Sequence, residues 1–436
     1  MRALADRQQF SSRFTTILTM VGVAVGLGNV WRFPYMMGEY GGSAFLIVYL
    51  VFTLALAIPA LMAEWTLGRE TGKGPIGAFS AVWGHRWGRR IGSLIVFTMI
   101  VSTSYYIVVI GNIAFSAWFS VAFGFSDETL PSFHSQFANG WLQYFFAIIV
   151  LLLCVFVLTR GLNKGIEAVS RLFVPFFGLV IIYLVINAFF LEGAPARFAE
   201  FLKPDFSVLR AEHIFAALGQ AFFSLGLAGT IMVIYGSYMR PDQRIPRVAI
   251  STAIGDVAAA VIASLFIVPT ILVFDLDLSQ GPTLIFSTLP KLFSVMPGGR
   301  VLGSAFLLAL CLIAFLSALG ALEAIIGSIS EEFRSGAARI RVIGIILVVE
   351  ALIMLPSSLD PGIVGKLDLV FGSGMQMLGS AMAVIGVTWG MGRARTRLQL
   401  FGEAQSVWHD RLFLWLKWIV PGLMIIVIAG YVLSQF

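Results

Sequence analysis

Asp256 stands in AIGDVAAAV, a carboxylate with long apolar runs on both sides. Buried in a segment of that kind, it calls for a cation. Arg32 is the converse case, a permanent positive charge inside MVGVAVGLGNVWRFPY, residues 20–35. A guanidinium at membrane depth costs roughly 3 kcal/mol or more unless it is paired or hydrated, so its default reading is functional. The same stretch holds Gly22, Gly26, Gly28, Asn29 and Pro34, and a second stretch, GQAFFSLGLAGTIMVIYGSY (219–238), holds Gly226 and Gly229. Such content predicts helices interrupted at membrane depth. An interruption frees backbone carbonyls, which suit a hard cation such as sodium, and helix N-termini, which suit an anionic group.

The elements that position these groups follow from composition. Of the 436 residues, 58% are hydrophobic and 12% charged. A soluble domain carries about 25% charged residues, so most of this surface needs lipid as its solvent. The net charge of +6 does not point to nucleic acid, because the basic residues are scattered among short loops. Cys154 and Cys311 lie in apolar runs and read as small buried hydrophobes. His85, His134, His213 and His409 lack metal-ligand spacing, and no GxxxxGK[ST] nucleotide loop occurs. No catalytic constellation is visible, so an enzyme is not expected.

Apolar runs long enough to cross a bilayer recur at about 14–37, 42–68, 91–122, 141–159, 166–191, 213–239, 247–274, 301–330, 341–355, 364–391 and 412–434, eleven in all. The fold class expected is therefore an all-α membrane protein. The opening MRALADRQQFSSRF is polar and reads as no cleavable leader. Most of the 29 Lys and Arg fall in the loops that share a side with the N-terminus. The positive-inside rule then sets the N-terminus in the cytoplasm and the C-terminus outside. The outer segment 276–300 reads as a short helical hairpin. Spans one and six, the two with broken-helix chemistry, are five apart, which suits an inverted repeat of five helices. Its halves would be about 13–191 and 212–392, with an additional helix at about 412–434.

GVAVGLGNVWRFPY, GGSAF, EWTLGR, GQAFFSLG, PDQRIP, GPTLIF, LPKLF and SEEF together resemble the neurotransmitter:sodium symporter family, over nearly the whole chain from Arg7 to about Trp389. The resemblance implies the inverted five-plus-five fold, with helices 1 and 6 broken. It also implies sodium-coupled import of an α-amino acid by alternating access. A proton-coupled carrier or a non-transporting substrate sensor on the same fold is the alternative.

Carried over by position, the first sodium site would use the Ala24 carbonyl, Asn29, Ser224 and Asp256. A fixed aspartate there implies that chloride is not required. The second site would use carbonyls of Gly22, Val25 and Ile313 with Ser317. Leu316 stands where the family has another hydroxyl residue, leaving one or two sodium ions open. The substrate carboxylate would meet the amides of Gly26, Leu27 and Gly28 and the Tyr106 hydroxyl, beside Val23, Ala24 and Ser224. Ser102, Val109, Phe223, Gly226, Gly229, Ala318 and Ala321 would shape a pocket wide enough for a large apolar or aromatic side chain. The resemblance implies an outer gate of Arg32 and Asp368 and an inner gate of Arg7 and Glu331, with Tyr238 nearby. Phe10 and Glu331 replace the family's usual Trp and Asp. A compact chain without a long outer loop reads as a protein of the bacterial inner membrane. Oligomeric state is not legible.

Overall fold

A computed structural model describes residues 8–276, 284–333, 338–403 and 406–433. Among them there is no strand. In lipid a helix satisfies its backbone within one segment, and these sequences take that solution.

The order is α1 (Arg13–Ala24), α2 (Gly28–Glu39), α3 (Ser43–Thr71), α4 (Pro75–Trp83), α5 (His85–Ala122), α6 (Leu130–Phe137), α7 (Gly140–Thr159), α8 (Leu162–Phe189), α9 (Ala194–Leu202), α10 (Ala211–Ser224), α11 (Ile231–Ser237) and α12 (Ile245–Val273). There follow α13 (Thr288–Val295), α14 (Gly299–Glu331), α15 (Ala338–Leu359), α16 (Pro361–Met391), α17 (Arg393–Phe401) and α18 (407–433).

Among the described residues, eight helices (α3, α5, α7, α8, α12, α14, α15 and α16) are long and apolar enough to cross a bilayer. The bent pair of α1 and α2 makes a ninth span. The short ninth run, expected at 341–355, is a full span of 22 residues, α15. The expected sixth span is no single helix: α10 and α11 have 14 and 7 residues and are separated at 225–230. The last expected span corresponds to part of α18. Of the expected outer hairpin, α13 is present, and 277–283 lie outside the described residues. Lys291 on α13 pairs with Asp127 at 2.7 Å.

Local chemistry sets the ends that matter. Ser12 caps α1, its hydroxyl accepting from the Thr15 N–H while the Thr15 hydroxyl accepts from the Ser12 N–H. The two interrupted helices sit at the centre, with α12 packed on α1 and α2, and α3 packed on α10 and α11. Glycine permits the closest approach. A Cβ on Gly236 of α11 would fall 2.6 Å from the Trp65 Cα of α3, and one on Gly68 would strike the Val233 carbonyl. That contact presses α11 against α3 just below the second interruption.

Candidate functional site

At the first interruption Val25 takes extended backbone (φ −67°, ψ 117°) while its N–H still bonds the Val21 carbonyl. The α2 axis then leaves at 60° to α1. The first amides of α2 have no partner inside their own helix and carry the positive end of its dipole. At the second interruption Gly226 and Gly229 have φ of +64° and +68°, which side chains disfavour. The Gly229 N–H donates to Glu64 Oε1 at 3.0 Å.

The two interruptions meet in one buried cluster. Asn29 Nδ2 donates to Asp256 Oδ1 at 2.7 Å, to Ser224 Oγ at 2.9 Å and to the Asp256 carbonyl at 3.2 Å. The Ser224 hydroxyl donates to Asp256 Oδ2 at 2.7 Å, and the Tyr49 hydroxyl reaches the same oxygen at 3.4 Å. The Gly26 N–H donates to Asn29 Oδ1 at 3.0 Å. Asn29, Tyr49, Ser224 and Asp256 are all buried. Every one of these partners of Asp256 is neutral. A buried carboxylate ringed by oxygens and amides is a donor set that a small hard cation completes.

Beside this cluster opens a pocket lined by Val23, Ala24, Gly26, Leu27, Gly28 and Asn29 of the first interruption and by Phe223, Ser224, Gly226 and Ile231 of the second. Met99, Ser102, Thr103, Tyr105 and Tyr106 of α5 complete it with Ser317 and Ala321 of α14 and Asp368 and Gln376 of α16. A Cβ on Gly26 would lie 2.9 Å from both Ser317 Oγ and Tyr106 Oη. Residue 26 thus presents bare backbone at the pocket wall, and a side chain there would displace the Ser317 and Tyr106 hydroxyls.

Several expected residues sit elsewhere. Val109, Gly229 and Ala318 are not among the pocket lining. Gly229 instead packs on the backbone of Gly379, so its missing side chain serves helix contact and adds no width. The outer pair is not closed: Arg32 lies over the Phe223 ring, 5.3 Å from its centroid, while Asp368 Oδ1 accepts the Tyr105 hydroxyl at 3.1 Å. At the inner side Arg7 lies outside the described residues. Glu331 accepts the Gly74 N–H at 2.8 and 3.0 Å. Tyr238 bonds a second acidic residue. Its hydroxyl donates to Glu323 Oε1 at 2.6 Å, and Arg339 pairs with Glu323 Oε2, also at 2.6 Å. Phe10, where the family has Trp, is buried against Tyr235 and Tyr238.

A family model described as the sodium:neurotransmitter symporter family matches residues 7–128 and 125–435. The chain belongs to that family. Among relatives, an uncharacterized sodium-dependent transporter of Bacillus subtilis, YhdH, is 33% identical over 327 residues, 74% of this chain and 72% of the relative. The Methanocaldococcus jannaschii transporter MJ1319 is 32% identical over 349 residues, 75% and 70%. The crystal structure of MhsT in complex with L-phenylalanine matches with a TM-score of 0.87 and 32% identity, covering 99% of this chain and 100% of that one. The chain is thus an integral membrane protein of a sodium-dependent transporter family, whose members are transporters and not enzymes, and a small molecule is its cargo.

In this family member the EWTLGR string gains a physical meaning residue by residue. Glu64 holds the second interruption, and Gly68 lets α11 approach. Arg69 bonds the Gln243 carbonyl at 2.6 Å and both Gln399 Oε1 (2.8 Å) and the Gln399 carbonyl. The second proposed sodium site looks different. Ser317 Oγ donates to the Val23 carbonyl at 2.9 Å and the Val25 carbonyl at 3.2 Å. Leu316 and Val174 put methyl groups within 2.8 Å of where a Gly22 Cβ would stand.

Glu64, Tyr49 and Gln220 were not among the expected site residues. Gln220 Nε2 donates to the Gly28 carbonyl at 3.1 Å. The signal for Glu64 was present, a carboxylate inside an apolar run. Met99, Thr103, Tyr105, Ile231 and Gln376 join the pocket without any signal beyond their span.

Proposed function

We propose that this protein is a sodium-coupled symporter that imports an α-amino acid with a large apolar or aromatic side chain. The observation that carries the reading is one juxtaposition. The amides at residues 26–28, where the first interruption leads into α2, adjoin the Asn29–Ser224–Asp256 cluster in one pocket. A carboxylate on those amides would lie beside the cation held by the cluster, so each ligand strengthens the other. Gly26 meets the pocket as bare backbone, with no side chain to compete with the cargo's own carboxylate. The phenylalanine bound to MhsT is in keeping with this class of cargo.

Asp256 supplies a fixed negative charge at the cation, so chloride is not needed. The first site binds sodium through Asn29, Ser224, Asp256 and the Ala24 carbonyl. The second is thinned: Ser317 offers it one hydroxyl oxygen beside the Val23 and Val25 carbonyls, and Leu316 adds a methyl instead of a further oxygen. One sodium per cycle follows. Within the two five-helix repeats, about 13–191 and 212–392, the bundle of spans one, two, six and seven would rock around the fixed site. The basic loops would face the cytoplasm of a bacterium.

Proteoliposomes test this. An inward sodium gradient should concentrate a labelled amino acid above its outside level, and collapsing the gradient should release it. Uptake that only equilibrates, or that needs a proton gradient and ignores sodium, would refute the coupling.

A further inference from the structure

One wall of the pocket carries hydrogen-bonding groups with nothing to bond. Thr103 on α5 is buried, 1% exposed, and its Oγ1 has no partner among the described residues. Ser102, 4% exposed, likewise has no partner for its Oγ. Hydroxyls on a helix commonly fold back onto the carbonyl one turn earlier, as Thr98 does onto Leu94 at 3.0 Å. Thr103 and Ser102 do not. Both line the pocket, and so does the half-buried amide of Gln376 on α16.

These groups lie on the same side of one fixed contact. Tyr105 and Asp368 fix the register of α5 against α16 by their 3.1 Å hydrogen bond. Thr103, Ser102 and Met99 precede Tyr105 along α5, and Gln376 follows Asp368 along α16. α5 is the third span of the sequence count and α16 the tenth, so the two run in opposite directions and both paths lead to the same side of that bond. Leaving two buried hydroxyls unpaired costs free energy. A cargo side chain that bonds them recovers it, and a purely apolar one does not.

We propose that Thr103, Ser102 and Gln376 form a polar recognition wall, which selects an amino acid whose large side chain ends in a hydrogen-bonding group. A phenol or a primary amide fits this description. The inference rests on the α-amino-acid part of the reading above and replaces its apolar side chain by one with a polar tip. A wholly apolar cargo of the same size would leave the wall desolvated and unsatisfied. Sites built to bond a hydroxyl discriminate against the analogue that lacks it far more strongly than apolar pockets discriminate by size.

The test is a binding competition on the purified full-length protein in sodium, using two matched pairs: tyrosine with phenylalanine, and glutamine with methionine. The polar member of at least one pair should bind about tenfold tighter or more. Thr103→Val or Gln376→Leu should shrink that ratio towards one. In Thr103→Val, phenylalanine should also gain affinity, since no hydroxyl is left unpaired against its ring, and that gain shows the variant to be folded. Preference for the polar member in neither pair overturns the proposal, and so does a preference that survives both substitutions. If no amino acid binds in sodium at all, the amino-acid reading itself falls. That outcome is distinct from tight binding of phenylalanine and methionine, which removes only the polar wall.

Discussion

Asn29 and Asp256, 227 positions apart in the chain, meet through a hydrogen bond of 2.7 Å at the junction of the two interrupted helices. Ser224 closes the triangle, 2.9 Å from the Asn29 amide and 2.7 Å from the carboxylate. The first helix, the sixth and the seventh of the sequence count are thereby tied to one buried charge. Whatever neutralises that charge also sets how the three helices sit.

Asp256→Asn removes the charge and keeps the shape. Charge-assisted contacts contribute about 1.5–3 kcal/mol, so the sodium concentration for half-maximal stabilisation should rise about tenfold to a hundredfold. Thermal melts across a sodium series read this directly. An unshifted midpoint would remove Asp256 from the cation site. In the unaltered protein, replacing chloride by gluconate should leave uptake unchanged.

Gly26→Ala tests the backbone wall. The new Cβ would lie 2.9 Å from Ser317 Oγ and Tyr106 Oη, both side-chain tips that can yield. The protein should therefore fold and still be stabilised by sodium. Amino-acid affinity should drop by more than about tenfold, since a 1.4 kcal/mol loss already amounts to that. Isothermal titration with wild-type-like affinity would contradict the placement of the cargo.

Leu316→Thr tests the thinned second site. Sodium dependence of binding in the native protein should follow a single-ion curve. The threonine would restore an oxygen near the Gly22 and Val25 carbonyls and should steepen that curve. A native curve already steep would show two ions bound despite Leu316.

Arg339→Ala tests the inner lock. Glu323 is 3% exposed and is held by Arg339 and by Tyr238. Removing the cation strands a buried carboxylate, a loss of about 3 kcal/mol. The melting temperature should fall, and cysteine labelling near Phe10 should speed up as the inner side loosens. Tyr238→Phe should do the same to a lesser degree. Labelling that stays slow in both would leave Glu323 a merely structural acid.

Much of the site was legible because membrane spans make polar residues conspicuous. Asp256, Asn29 and the glycines at 26, 28, 226 and 229 stood out against apolar runs, and the structure gathers them at two interruptions. Their individual duties were less legible. Gly229 looked like pocket space, yet it is a contact with Gly379, because a missing side chain says nothing about which surface fills the gap. Arg32 and Asp368 carry complementary charges, but Phe223 and Tyr105 occupy them here. Pair energies of hydrated charges are small, so charge alone did not predict the partner. The inner network of Tyr238, Glu323 and Arg339 escaped notice because Glu323 sits in a helix whose facing neighbour was not knowable from spacing. The break in the sixth span was expected from its glycines, but its bounds at 225–230 were not legible, because apolar composition persists across them.

The central claim is that cation and cargo share the junction of the two interruptions, so that each binds better in the presence of the other. The direct test is a sodium titration of the purified protein with and without a saturating amino acid, repeated as an amino-acid titration with and without sodium. The account predicts that sodium affinity rises when the amino acid is present, by the same factor as amino-acid affinity rises with sodium. Sodium affinity that is indifferent to the amino acid would contradict it.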